Sequence, residues 1–260
     1  MKPIFILMAC TLLITACGGG GSSSSPATTE QPSNGASAPP TMPTTPTTPT
    51  MPTTPPSAEN TVTYRVTFST IWTEAQFPTQ YPSGRHFSPL VGMTHNEQAT
   101  LWIDAGLATE GMESMAETGG RLSLNTEINA FIEQGYAQFL LNGGGISSLT
   151  DSIEFEFEVS EAFSLVTLVS MVAPSPDWFV GVNSVDLRDE NGEWRSRVNM
   201  GLRILDAGTD SGLSYNSGNS DTQPREPIQL LTSDASDTDI QAGIHRDSGK
   251  NIANFSFELL

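Results

Sequence analysis

The chain of 260 residues sets 29 acidic against 11 basic side chains, a formal net charge of −18, with lysine only at Lys2 and Lys250. That balance excludes a binder of phosphate backbones, which needs a basic stripe, so nucleic acid is not expected as a partner. Cysteine occurs only at Cys10 and Cys17, which excludes disulfides, zinc–thiolate centres and cysteine nucleophiles from everything downstream.

Lys2 followed by the short apolar stretch 4–14 reads as a secretory signal. It runs into Leu13-Ile14-Thr15-Ala16-Cys17-Gly18, which resembles the lipobox of bacterial lipoproteins. The resemblance implies a signal peptide over residues 1–16 and acylation of Cys17, with the membrane as a partner through that anchor. Gly18, where retention at the inner membrane uses aspartate, implies the outer membrane or the cell surface. Residues 17–60 are then the lipidated cysteine and a Gly/Ser/Thr/Pro tether. The tether includes the repeat Met42-Pro43-Thr44-Thr45-Pro46 and carries only Glu30 and Glu59 as charges, too little apolar surface to fold. Proline at every third position favours polyproline II and resembles glycosylated stalks.

Of the aromatic residues only Phe5 precedes residue 60, so the folded part is 61–260. Residues 62–68 open it as a strand with Tyr64, Val66 and Phe68 on one face. The spacing predicts a helix over 110–117 with Met112, Met115 and Ala116 on one stripe. A second is predicted over 127–134, capped by Asn125 or Thr126 and burying Ile128, Phe131 and Ile132. Residues 143–145, three glycines, lack the strand–loop–helix order and the lysine of a phosphate loop and read as a linker.

Residues 153–159 alternate apolar positions with Glu154, Glu156 and Glu158, a strand with a solvated acidic face. Residues 163–172 are apolar nearly throughout, as in a strand buried on both faces. Asp189-Glu190-Asn191-Gly192 between the strand-like stretches 182–187 and 194–205 reads as a hairpin turn. Residues 252–259 alternate again and close a sheet. The fold expected is mainly β, an antiparallel β-sandwich with short helical insertions.

Catalytic signatures are sparse. Neither G-x-S-x-G nor H-E-x-x-H occurs, and His86, His95 and His245 are the only histidines. His86 and His95 stand nine apart across Ser88-Pro89: either packed or hydrogen-bonded residues, or a metal pair. The richer segments are Pro174-Ser175-Pro176-Asp177-Trp178-Phe179-Val180-Gly181-Val182 and Asp206-Ala207-Gly208-Thr209-Asp210-Ser211-Gly212. Each follows a strand and is dense in turn formers. Asp177, Asp206 and Asp210 present hard carboxylate oxygens of the kind Ca²⁺ takes, six to eight at about 2.3–2.6 Å. Aspartates making Asx turns account for the same spacing.

These two segments resemble the spondin N-terminal (F-spondin) domain family. The likeness also runs through Trp72, Phe77-Pro78, Tyr81-Pro82, His86-Phe87-Ser88-Pro89-Leu90-Val91-Gly92, Leu101-Trp102, Ala108-Thr109-Glu110-Gly111 and Ala116-Glu117. The resemblance implies a sandwich like that of C2 domains, with one calcium ion held by Asp177, Asp206 and Asp210 in loops at one end. It implies a non-enzymatic adhesion module whose partner is an extracellular protein or glycan. Arg188 stands where animal members carry a cysteine, which separates this chain from their receptors. Two other readings stay open: a structural envelope lipoprotein in which calcium serves stability alone, and a hydrolase of wall or polysaccharide material.

Overall fold

The computed structural model describes residues 61–77, 80–231 and 251–260, all within the unit Thr54–Leu260. The signal segment 1–16, Cys17, the tether to residue 60 and His245 lie outside the described residues. In chain order the elements are β1 (Thr61–Thr70), β2 (His86–Phe87), β3 (Val91–His95), α1 (Glu110–Thr118), α2 (Leu122–Glu133) and β4 (Ala137–Asn142). There follow β5 (Ser152–Ser160), a 3-10 turn (Glu161–Phe163), β6 (Leu165–Ala173), β7 (Trp178–Asp186), β8 (Arg197–Leu202), β9 (Leu205–Asp206), β10 (Gln229–Leu230) and β11 (Ala253–Leu259).

The strands pair antiparallel into two sheets, β5-β1-β11-β8 and β10-β9-β7-β6-β3-β4, with β2 added alongside β6. Period-2 alternation makes the first sheet one-sided. Tyr64, Val66, Phe68, Phe255 and Phe257 are fully buried against the second sheet. On the outer face Arg65 lies between Glu156 and Glu258 in register, and Arg197 stands beyond Glu258. Glu156 reaches Arg65 at 2.7 Å and Glu258 reaches Arg197 at 2.5 Å, so the acidic face is broken up by cross-strand pairs exposed to water.

The second sheet is covered on both faces. Along β6, Val166, Leu168 and Val172 enter the core between the sheets, while Val169, Met171 and Ala173 enter a separate core beneath the helices. That is why this strand reads as continuously apolar. Met112, Met115 and Ala116 of α1 and Leu124 and Ile128 of α2 supply the helical side of that core. Fully burying an aliphatic or aromatic side chain of this size contributes about 1.5–3 kcal/mol. The architecture is therefore the expected antiparallel sandwich, with its two helices forming a third layer on one face.

Three local expectations differ. The second helix begins at Leu122, with Arg121 at its N-cap and no side-chain cap bond, so Asn125 and Thr126 lie inside it. Thr126 Oγ1 donates back to the Leu122 carbonyl at 3.0 Å. Burial of Leu124 carries the helix past the cap signal, and Phe131 and Ile132 are only partly buried. The Asp189–Gly192 turn is present, with the Gly192 amide donating to the Asp189 carbonyl at 2.9 Å, but beyond the isolated bridge Arg188–Trp194 the flanking strands enter different sheets. The stretch 194–205 divides into β8 and β9 at the crossover. Finally, β11 closes no edge: it lies between β1 and β8.

Candidate functional site

The strand ladder brings Asp177 to the 206–210 loop. Asp177 immediately precedes β7, whose Trp178 pairs with Asp206 of β9, and the Asp177 carbonyl accepts the Ala207 amide at 3.2 Å. Ser175 Oγ accepts the Trp178 amide at 3.1 Å and fixes the turn that presents Asp177. Gly208 lies in the left-handed region at φ +72°, and a Cβ there would sit 2.1 Å from the Glu226 carbonyl oxygen, so the loop is pressed against segment 221–226. Two backbone bonds lock that contact: Glu226 amide to Gly208 carbonyl and Thr222 amide to Thr209 carbonyl, each 2.8 Å.

The Asp177 side chain has no exposed surface. Its Oδ2 accepts the amides of Thr209 at 2.8 Å and Asp210 at 3.1 Å, with the Thr209 hydroxyl 3.4 Å away. Its Oδ1 is buried and has no hydrogen-bond partner. Asp206 accepts the Gly208 amide at 2.8 Å, an Asx turn. Asp210 makes a second, to the Gly212 amide at 2.7 Å, and gives its other oxygen to the Ser220 amide at 2.8 Å. Two of the three aspartates thus make the Asx turns that the spacing allows, and the backbone they shape points amides at the third.

Burial first, then the neighbouring Asp206 carboxylate and less strongly Asp210, push the Asp177 carboxyl up to about 7, while the Thr209 and Asp210 amides draw it down. A fourth acid that sequence reasoning missed joins them. Glu117, near the end of α1, is half-buried and lies within the electrostatic reach of Glu113, Asp210 and Asp177. Burial pushes its carboxyl up too. Arg225, which pairs with Glu113 of α1, is committed to that carboxylate and, at 3.0 Å, to the Ala108 carbonyl. Among the described residues, none forms an ion pair with Asp177, Asp210 or Glu117.

The structure therefore gathers Asp177, Asp206 and Asp210 at one end of the seven-stranded sheet. As the side chains stand, no three acid, imidazole or thiol groups among the described residues converge closely enough to enclose a metal ion. A cation nevertheless fits what is present: a buried carboxylate with one oxygen lacking any donor, inside a cluster of like charges. Asp177, Asp206 and Asp210 are the residues that would hold it.

The two histidines do not form a pair. His86 stands opposite Ala173 and His95 opposite Leu165, at the two ends of β6, eight residues or roughly 26 Å apart. His95 is fully buried, with Nε2 2.8 Å from Thr167 Oγ1 and Nδ1 2.8 Å from the Asn96 carbonyl, and burial lowers its pKa. His86 is exposed, with Nδ1 2.9 Å from the Gly84 carbonyl. Among the described residues, no helix is long and apolar enough to cross a membrane.

The family model described as Spondin_N matches residues 62–254. Spondin-2 of Homo sapiens is 36% identical over 183 residues, which is 68% of this chain and 54% of that protein. Spondin-2 of Rattus norvegicus is 35% identical over 173 residues, 65% of this chain and 52% of that protein. Spondin-1 of Rattus norvegicus is 34% identical over 178 residues, 66% of this chain but 22% of that protein. The chain thus spans about half the length of the spondin-2 relatives (54% and 52%) and about a fifth (22%) of spondin-1.

Proposed function

The chain belongs to the spondin N-terminal domain family, and from that premise we propose that its folded part is a calcium-binding, non-enzymatic adhesion or ligand-binding module, held at a bacterial cell surface by a lipid on Cys17. The observation that carries the calcium reading is the Asp177 Oδ1 atom, buried without a partner beside two further carboxylates. A buried carboxylate in that condition is costly unless it takes up a proton or a cation compensates it, and the raised pKa of Asp177 marks that demand. The donors are all hard oxygens, which suits Ca²⁺ rather than a softer metal.

Asp177, Asp206 and Asp210 would hold the ion. Its role is electrostatic: it offsets their mutual repulsion and ties the β6–β7 turn to the 206–212 loop. With those loops ordered, the end of the sandwich is a fixed surface on which an extracellular protein or glycan is bound. The separation of His86 from His95, and the enclosure of His95 by Thr167 and Asn96, support binding rather than hydrolysis.

The test is calorimetric titration of the full chain with calcium chloride. Asp206→Asn keeps the oxygen that accepts the Gly208 amide and removes the charge, while Asp210→Asn removes the charge and one of its two amide acceptors; each is expected to weaken calcium binding by about tenfold or more, at least one lost charge interaction of about 1.4 kcal/mol. Both variants binding calcium as tightly as the wild type would overturn the assignment.

A further inference from the structure

Of the strands that end a sheet, β5 is the longest, nine residues against six for β4 and for β8. Among the described residues it pairs with β1 alone, in one unbroken register from Thr61–Ser160 to Ser69–Ser152. Alternate residues along its other side therefore turn their amides and carbonyls away from the sheet. Lysine, proline and bulges are the usual means of closing such an edge, and Ser152–Ser160 contains none of them.

Beside that edge the sandwich is open. Ser160 Oγ donates to Gln138 Oε1 of β4 at 2.7 Å and draws the outer strands of the two sheets together at one end. Further along, β4 and β5 flank a groove of about 240 Å³ walled by Phe139, Leu141, Phe155 and Phe157. Phe139 and Phe155 are only partly buried. A strand laid on β5 sends alternate side chains toward this groove and the others to the outer face. On that face Glu154, Glu156 and Glu158 are exposed. Glu156 is held by Arg65 at 2.7 Å. Glu154 and Glu158 stand opposite Thr67 and Thr63 of β1 and make no ion pair among the described residues.

These charges select the occupant. A second copy pairing through its own β5, with apolar faces aligned, would set its glutamates beside these, because side chains alternate with period two. The repeat that precedes β1 in the chain has proline at Pro43, Pro46 and Pro49, and proline has no amide to give a ladder. Bases at alternate positions answer Glu154 and Glu158 together. We propose that the β5 edge is a docking site for an extended segment of a partner protein that alternates basic and apolar residues. The segment adds a strand to the four-stranded sheet, seats its apolar side chains between β4 and β5, and sets its bases beside Glu154 and Glu158. The site uses none of the residues of the aspartate loop and does not rest on the calcium reading.

The experiment titrates an end-capped, fluorescein-labelled octapeptide of alternating lysine and valine into the full chain in chelator. Fluorescence anisotropy reads the affinity, and amide hydrogen exchange reads the place. Saturable binding with new protection of β5 amides is expected. Reversing both exposed charges, Glu154→Lys with Glu158→Lys, should weaken that binding by about tenfold or more and confer binding of the glutamate–valine octapeptide instead. On the wild type, an octapeptide alternating lysine and proline keeps the charge and loses half of the amides, so it should bind at least about tenfold more weakly. No saturable binding, or equal binding of the lysine–proline peptide, would overturn the added strand. Equal affinity in the charge-reversed variant would overturn the assignment to Glu154 and Glu158. Protection falling on residues 206–212 instead of β5 would place the peptide at the acidic loop and refute this edge. A chain that sediments as a dimer, which the peptide then dissociates, would make a second copy the occupant and refute the basic partner.

Discussion

Replacing Gly208 with alanine separates the loop's backbone geometry from its charges. Gly208 and Gly135 share nearly the same left-handed backbone, φ +72° and +73°, but a Cβ at Gly135 meets nothing within 4 Å while one at Gly208 lands 2.1 Å from the Glu226 carbonyl oxygen. Gly135→Ala therefore carries only the conformational penalty, about 1 kcal/mol. Gly208→Ala adds the overpacking term of roughly 1–3 kcal/mol, for about 2–4 kcal/mol in all. At about 2–4 °C per kcal/mol for a domain of this size, Gly135→Ala should lower the melting temperature by a few degrees and Gly208→Ala by about 5–15 °C.

The same displacement moves Thr209 and Asp210, whose amides hold Asp177 Oδ2 at 2.8 and 3.1 Å. Gly208→Ala should accordingly weaken calcium binding by about tenfold or more, and Gly135→Ala leave it unchanged. Thermal melts of the full chain in chelator, followed by calorimetric titration with calcium, read both quantities. Equal melting temperatures for the two variants would refute the close-approach argument. Unchanged calcium affinity in a destabilised Gly208→Ala would refute the claim that this loop shapes the site.

Two further outcomes follow from residues away from the loop. The pKa of His95 is lowered from its ordinary 6.5 by burial, so the unfolded chain binds the proton first; the stability from keeping it neutral is present above pH 6.5 and lost as pH falls through the lowered folded value. In chelator, His95→Gln should lose less stability than wild type as pH falls below 6.5, the carboxylates being common to both, and parallel curves would contradict this. Tyr64, fully buried in β1, donates its hydroxyl within reach of the Arg195 carbonyl at 2.5 Å and the Leu187 carbonyl at 3.2 Å, pinning the 188–195 turn. Tyr64→Phe should cost about 1–2 kcal/mol by denaturant titration with calcium affinity intact, and an unchanged midpoint would show that the hydroxyl holds nothing.

The parts of this domain that were legible in the chain are those fixed by near neighbours. Alternation at Tyr64, Val66 and Phe68 located β1 and its buried face, and the stripe Met112, Met115, Ala116 located the face of α1 that packs on the sheet. The turn at Asp189–Gly192 was equally visible, but which sheet each flanking strand joins depends on partners far away: β6 for Asp186 and β11 for Arg197. The start of α2 was misplaced because Leu124 packs into the core beneath the helices and extends the helix past the polar residues that resemble its cap.

The same division holds for the site. Asp206 and Asp210 sit in one loop, and Asp177 sits in a motif dense enough to attract notice, so the aspartates were found from sequence. Glu117 left only a weak trace, an acid in a helical turn that favours a base, and its nearness to the acidic loop exists only once α1 is docked on the sheet. The buried Oδ1 of Asp177 has no signature in sequence at all, since it arises from the layers that close over it.

The measurement that bears most directly on this account is the melting temperature of the full chain, stripped of divalent ions and then titrated with calcium chloride. An ion that binds only the folded state stabilises it by RT ln(1 + [L]/Kd), about 2.7 kcal/mol at a hundredfold excess over Kd. For a domain of this size that is a rise of about 5–10 °C, saturable, and lost in Asp177→Asn. A melting temperature indifferent to calcium, with no heat of binding, would contradict the account and leave the family fold without its ion.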